Sequence, residues 1–112
     1  MRKYAPVLKG EHKCDLIMAL NHVRVPDDLK MARENSCPET LDMVFGGHDH
    51  HYFRTLAEET DVFVQKSGSD FEDFTNLIVL FDVKEEDYLA YAEKVKAEAA
   101  QMKHEMSDTE GV

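Results

Sequence analysis

Positive charge is scarce in this 112-residue chain: 13 Lys and Arg stand against 23 Asp and Glu, a formal net charge of −10 with a pI of about 4.9. A surface this negative repels phosphate backbones and anionic lipid, which argues against a general nucleic-acid or membrane-surface role. An anionic partner has to be met through metal ions. Cysteine is scarce too. Cys14 and Cys37 are too few and too unpatterned for a disulfide scaffold, and no basic-then-apolar leader precedes them, so a reducing, cytoplasmic setting is expected. Long apolar runs are missing: Leu16 to Leu20 and Leu77 to Phe81 hold five residues each, against the roughly 20 that span a bilayer. Proline (3) and glycine (5) are sparse and no repeat occurs, so nothing marks a linker and residues 1–112 are expected to form one domain. Hydrophobic residues make up 43% and aromatic residues 9%, the composition of a folded domain rather than of a disordered acidic tail.

Met1 to Lys13 reads as the last turns of a helix stopped by Gly10. Asp15 to Leu20 is short, apolar without alternation and bounded by polar residues, the pattern of a strand buried on both faces of a parallel sheet. Pro26 followed by Asp27 and Asp28 predicts a helix start, with the acids on the positive end of the dipole. That helix is expected to reach about Asn35 and to be ended by Ser36-Cys37-Pro38. Leu41 to Phe45 is a second buried strand, so strand, helix and strand form a βαβ unit. Tyr52 to Leu56, Asp61 to Lys66 and Phe74 to Val83 read as sequential, mainly antiparallel strands. From Lys84 the period changes: Tyr88, Tyr91, Val95, Ala99, Met102 and Met106 fall at steps of three and four, predicting a long amphipathic helix over 84–112 that frays from Ser107. The fold class is α/β, bordering on α+β.

Histidines are crowded. Of the six, His48, His50 and His51 fall within four positions after Gly46-Gly47. Glycine permits a tight turn and close backbone approach, and imidazoles at alternate positions reach adjacent ions from one loop. His22 stands at the equivalent place after the first buried strand. In open α/β sheets ligands bind at the carboxyl ends of the strands, so three imidazoles from two parallel strands converge there.

The segment Asp15-Leu-Ile-Met-Ala-Leu-Asn-His22, followed by Leu41-Asp-Met-Val-Phe-Gly-Gly-His48-Asp49-His50, resembles the last two motifs of the calcineurin-like metallophosphoesterases, specifically the 5′-nucleotidase branch. Lys66-Ser67-Gly68 resembles the strand and Ser-Gly turn that follow in those enzymes, so the likeness spans about Asp15 to Val83. It implies two divalent ions (Zn, Mn, Fe or Co) that clamp a phosphate ester and activate water for in-line attack. By position His22 and His48 are expected on one ion and His50 on the other, with Gly46, Gly47 and Asp49 shaping the loop.

Departures from the family pattern carry equal weight. Its earlier motifs, Asp-x-His, Gly-Asp-x-x-Asp and Gly-Asn-His, supply the bridging aspartate, the remaining first-ion ligands and the acid histidine, and none precedes the matched segment. The chain therefore resembles the carboxyl-terminal part of the catalytic domain, half of a metallophosphoesterase sandwich, with no catalytic residue assignable in it. Three imidazoles without a bridging carboxylate are expected to hold a single ion weakly. Hydrolysis by this chain alone is not expected. His51 is a possible extra ligand that alternation points away from the loop site, and His12 and His104 read as surface residues. Half a sandwich leaves apolar surface and a strand edge open, so a homo-oligomer or swapped dimer is expected. The competing readings are a non-catalytic metal-binding or interaction module that keeps the half-site, and an α/β domain whose histidines are structural.

Overall fold

The computed structural model describes residues 3–36 and 40–110, which divide into two compact units, Met1–Asn76 and Leu77–Val112. In the first unit the predicted βαβ element is present: β1 (Met18–Asn21), α1 (Val25–Glu34) and β2 (Met43–Gly46). β1 begins later than its apolar pattern and, as an edge strand, is not buried on both faces as expected: Met18 and Leu20 are exposed. The Asp42 carboxylate accepts the Ile17 amide at 2.8 Å while the Ile17 carbonyl accepts the Asp42 amide at 2.9 Å, so the lead-in is held by one residue through side chain and backbone together. Pro26 and the acidic pair Asp27-Asp28 occupy the first turn of α1 as expected. At its other end the Asn35 side-chain amide donates to the Met31 carbonyl at 2.8 Å, satisfying a terminal acceptor. Cys37 and Pro38 lie outside the described residues.

Two more strands follow, β3 (Tyr52–Leu56) and β4 (Phe63–Ser67), and the sheet order is β1-β2-β4-β3. The predicted antiparallel pairing holds for β3 with β4, whereas β4 runs parallel to β2 and β1. The reason is topological. β3 carries the chain out to the sheet edge, and β4 returns between β3 and β2, so three of the four strands point the same way. α1 packs on β2 and β4, and the core between them gathers Ile17, Ala32, Leu41, Val44, Ala57, Val62 and Val64, with Ala5 from the amino-terminal segment. That segment forms a π-helical stretch, Val7–Glu11, which passes through Gly10 instead of stopping there. The left-handed residue beyond it is Lys13, at φ 56°. Cys14 is a partly buried free thiol.

The predicted strand at Phe74 to Val83 does not form. An apolar run suits a pleated surface, but a strand exists only where a neighbouring backbone completes its ladder, and no such pairing occurs here. The Thr75 hydroxyl instead accepts from Gln65 Nε2 (3.0 Å) and shares a hydrogen bond with Ser67 Oγ (3.0 Å). The second unit holds α2 (Glu85–Glu110), opened by Glu85, Glu86 and Asp87 on the positive end of its dipole. The helix continues through Ser107, where fraying was expected, to Glu110. Tyr88, Tyr91 and Met102 of its stripe are exposed. No helix among the described residues is long and apolar enough to cross a membrane.

Candidate functional site

Strand register brings Asn21, Gly46 and Lys66 into one row at the carboxyl ends of the three parallel strands. Asn21 and Lys66 share the sheet face on which α1 lies, and Asp28 of α1 answers both. The Asn21 side-chain amide donates to Asp28 Oδ1 at 2.9 Å, and Lys66 Nζ lies 2.8 Å from Asp28 Oδ2. Gly46 is required between them. A Cβ there would stand 2.6 Å from Asp28 Oδ2 and 2.9 Å from Lys66 Cε, inside any real contact distance.

The Lys66 ammonium is buried among four oxygens but has only three protons, so Asp28 Oδ2 is held by charge without a hydrogen bond of its own. It donates to the carbonyls of Val23 and Gly47, each at 2.6 Å, and is ion-paired to Asp28 and to Asp49. Burial by itself pulls the lysine pKa down, but the two carboxylates outweigh it and the ammonium titrates above its ordinary 10.5. The hydrogen bond from Lys66 likewise holds the Asp49 carboxyl below its ordinary 3.8. Lys66 and Asp28 are the two buried charges, and either without its partner would be expensive, so each depends on the other.

Four histidines lie on the two loops that this cluster joins, His22 after β1 and His48, His50 and His51 after β2. The Gly47 amide extends the ladder by donating to the Asn21 carbonyl at 3.0 Å. A Cβ on Gly47 would meet His22 Nδ1 at 2.8 Å, so the missing side chain leaves room for the His22 ring. His22 and His48 stand edge to face, ring centres 5.4 Å apart and planes at 87°. Both are exposed. His48 (φ 84°) and His50 (φ 57°) take left-handed backbone conformations on either side of Asp49, a geometry uncommon for residues other than glycine and sustained only by firm surroundings. His51 is engaged locally, with its Nδ1 3.2 Å from the Asp49 carbonyl and its ring edge-on to Phe53 at 6.5 Å. His12 and His104 are exposed.

Of the residues expected at this edge, then, the fold pairs His22 with His48, while His50 and His51 follow on the same loop. Among the described residues no three side chains of His, Cys, Asp or Glu come close enough to hold one ion together. Two members of the cluster were not legible as such. Asp28 reads in sequence as a helix-start acid, and Lys66 as the end of a strand. One signal was available: Lys66 is in phase with Val62 and Val64, so alternation places it on the inward face.

Neither a protein-family model, nor a curated protein, nor a solved structure matches this chain.

Proposed function

We propose that this chain is the carboxyl-terminal part of a dimetal phosphoesterase domain of the 5′-nucleotidase type, and that its own contribution is an imidazole pair for one divalent ion. The observation that carries the reading is the His22–His48 pair at the carboxyl ends of adjacent parallel strands. Two imidazoles on one tetrahedral ion, with metal–nitrogen bonds of about 2.0–2.1 Å, have ring centres roughly 5 Å apart. The 5.4 Å separation suits that arrangement. The residues present therefore fit one ion. They do not fit a two-ion clamp, since no third ligand joins the pair among the described residues, and no hydrolytic step is derived for the chain by itself.

In such a site the metal polarises a phosphate ester and lowers the pKa of its bound water. The residues of this chain hold and orient: His22 and His48 supply nitrogen donors, and Gly47 keeps space beside His22. The substrate class that follows is a phosphate ester of nucleotide type, met through the ion because the chain is strongly acidic.

Self-association belongs to the same reading. Met18 (57% exposed), Leu20 (90%) and Leu56 (58%) lie on the two edge strands, on the sheet face opposite α1, and exposed apolar residues at sheet edges mark association surfaces. Light scattering that reports a monomer at high concentration would remove this part of the proposal.

The test is a calorimetric titration of the intact chain with Zn²⁺ and Mn²⁺ beside His22→Ala, His48→Ala and His50→Ala. Binding lost in the first two variants supports the pair as ligands. Binding unaffected by either assigns the histidines to structure. A non-catalytic metal-binding module is the second reading, favoured by the absence of a third ligand among the described residues. Adding the missing motifs on a separate polypeptide and assaying phosphate release separates the two.

A further inference from the structure

Lys66 is a buried amine at the strand ends whose partners are all sequence neighbours of the paired histidines or the Asp28 carboxylate of α1. Val23 follows His22, Gly47 precedes His48, and Asp49 follows His48. The ammonium takes the Val23 and Gly47 carbonyls at 2.6 Å each and pairs with Asp49, while Asp28 at 2.8 Å holds it from α1. We infer that Lys66 is a positioning residue for the His22–His48 pair, with its ammonium fixing the two loops that carry these rings against α1.

A lysine serving the core alone would need a single carboxylate to neutralise it, and Asp28, fully buried, already does so. The other three oxygens come from the β1–α1 and β2–β3 loops, which among the described residues are otherwise joined only by the ladder bond from Gly47 N to Asn21 O and by the Val25 amide at the start of α1 donating to the Asp49 carboxylate. His48 needs an external hold, because its φ of 84° is one that a free loop residue leaves readily. The grip on residues 47 and 49 supplies that hold on both sides. Charge adds a second consequence. One ammonium against the Asp28 and Asp49 carboxylates leaves one negative charge in excess (+1 − 2 = −1), which favours a cation beside the imidazoles and disfavours an anion. The inference deepens the metal-site reading and rests on it for the zinc measurement, but ring placement can be read without any metal.

The experiment compares the intact wild type, Asp28→Asn, and the double variant Lys66→Met with Asp28→Asn, in which no buried carboxylate of α1 is left without its cation. The readouts are the nuclear Overhauser cross-peak between the His22 and His48 ring protons in metal-free protein, the Val44–Val64 cross-strand contacts, and zinc affinity. The expected result is a cross-peak present in wild type and in Asp28→Asn but lost in the double variant, with the Val44–Val64 contacts kept throughout. Zinc affinity in the double variant is expected to fall about 10- to 100-fold, as when an outer-shell partner of a metal ligand is removed. A cross-peak that survives in the double variant, or is absent from wild type, overturns the inference, as does unchanged zinc affinity there. If the double variant does not fold, Asp49→Asn replaces it: a weakened cross-peak supports the role, and an unchanged one overturns it. Wild type that binds no zinc while the cross-peaks behave as expected removes the metal reading and leaves Lys66 as the positioning residue.

Discussion

Lys66 Nζ lies 2.8 Å from Asp28 Oδ2, and both side chains are shut away from solvent at 2% and 0% exposure. This pair fastens α1 to β4 at the end of the sheet where the histidines gather. Its removal is expected to be felt in stability before it is felt anywhere else. Breaking one partner of a buried pair leaves an uncompensated charge, a loss of roughly 3–5 kcal/mol. Lys66→Met is therefore expected to lower the urea midpoint steeply, and Asp28→Asn less, because asparagine keeps the hydrogen bond with Asn21 and is neutral. The double variant should be less destabilised than the sum of the singles, since the two residues touch. Additive effects would show that the pair is not coupled.

Gly46 and Gly47 are adjacent, yet alanine at each is expected to act differently. At Gly46 the new Cβ collides with Asp28 Oδ2 and the Lys66 stem at 2.6 and 2.9 Å, both buried and fixed, so the fold must shift. Overpacking of this kind costs about 1–3 kcal/mol. At Gly47 the collision is with the exposed His22 ring at 2.8 Å, which has room to swing aside. Gly47→Ala should thus change stability little and weaken zinc binding. Thermal denaturation and calorimetry on the two variants check the contrast.

Acid and base should destabilise the cluster from opposite sides. The Lys66 pKa is raised in the folded chain by Asp28 from α1 and Asp49 from the β2–β3 loop, despite burial, so its contribution is complete below 10.5 and is lost as pH rises through the higher folded value. The Asp49 pKa is lowered by Lys66, so its contribution is complete above 3.8 and is lost as pH falls through the lower folded value. Between those limits this cluster adds no slope. Urea midpoints measured from pH 3 to 11 for wild type minus Lys66→Met should show a plateau with a fall at each end. A difference that slopes through neutral pH would assign the dependence to other groups.

Thr75 replaces the strand that Phe74 to Val83 does not form. Its hydroxyl meets Gln65 Nε2 and Ser67 Oγ, both at 3.0 Å, and Gln65 is buried. Thr75→Val keeps the shape and removes both bonds, leaving the buried amide with one acceptor fewer. The expected loss is about 1–2 kcal/mol, with the Lys66 cluster unaffected because Gln65 faces the other side of the sheet. Hydrogen exchange of the β4 amides and a denaturation curve test it.

Local pattern and tertiary assembly contributed different things here. Periodicity, proline placement and helix-start acids were enough for β1, α1, β2 and β3, and Tyr52–Leu56 matches its predicted span in full, because these signals act within a few residues. The double glycine and the histidines after it likewise marked the edge that the sheet presents. Sequence by itself therefore determined the βαβ unit, β3 and the long carboxyl-terminal helix, and which end of the sheet carries imidazoles. Only the tertiary structure decided that β4 inserts parallel to β2, that Phe74 to Val83 finds no ladder partner, and that Lys66 meets Asp28 and Asp49 under the His22–His48 pair. Those outcomes depend on which backbone lies beside which and on charges brought together from distant segments, and neither leaves a periodic trace along the chain.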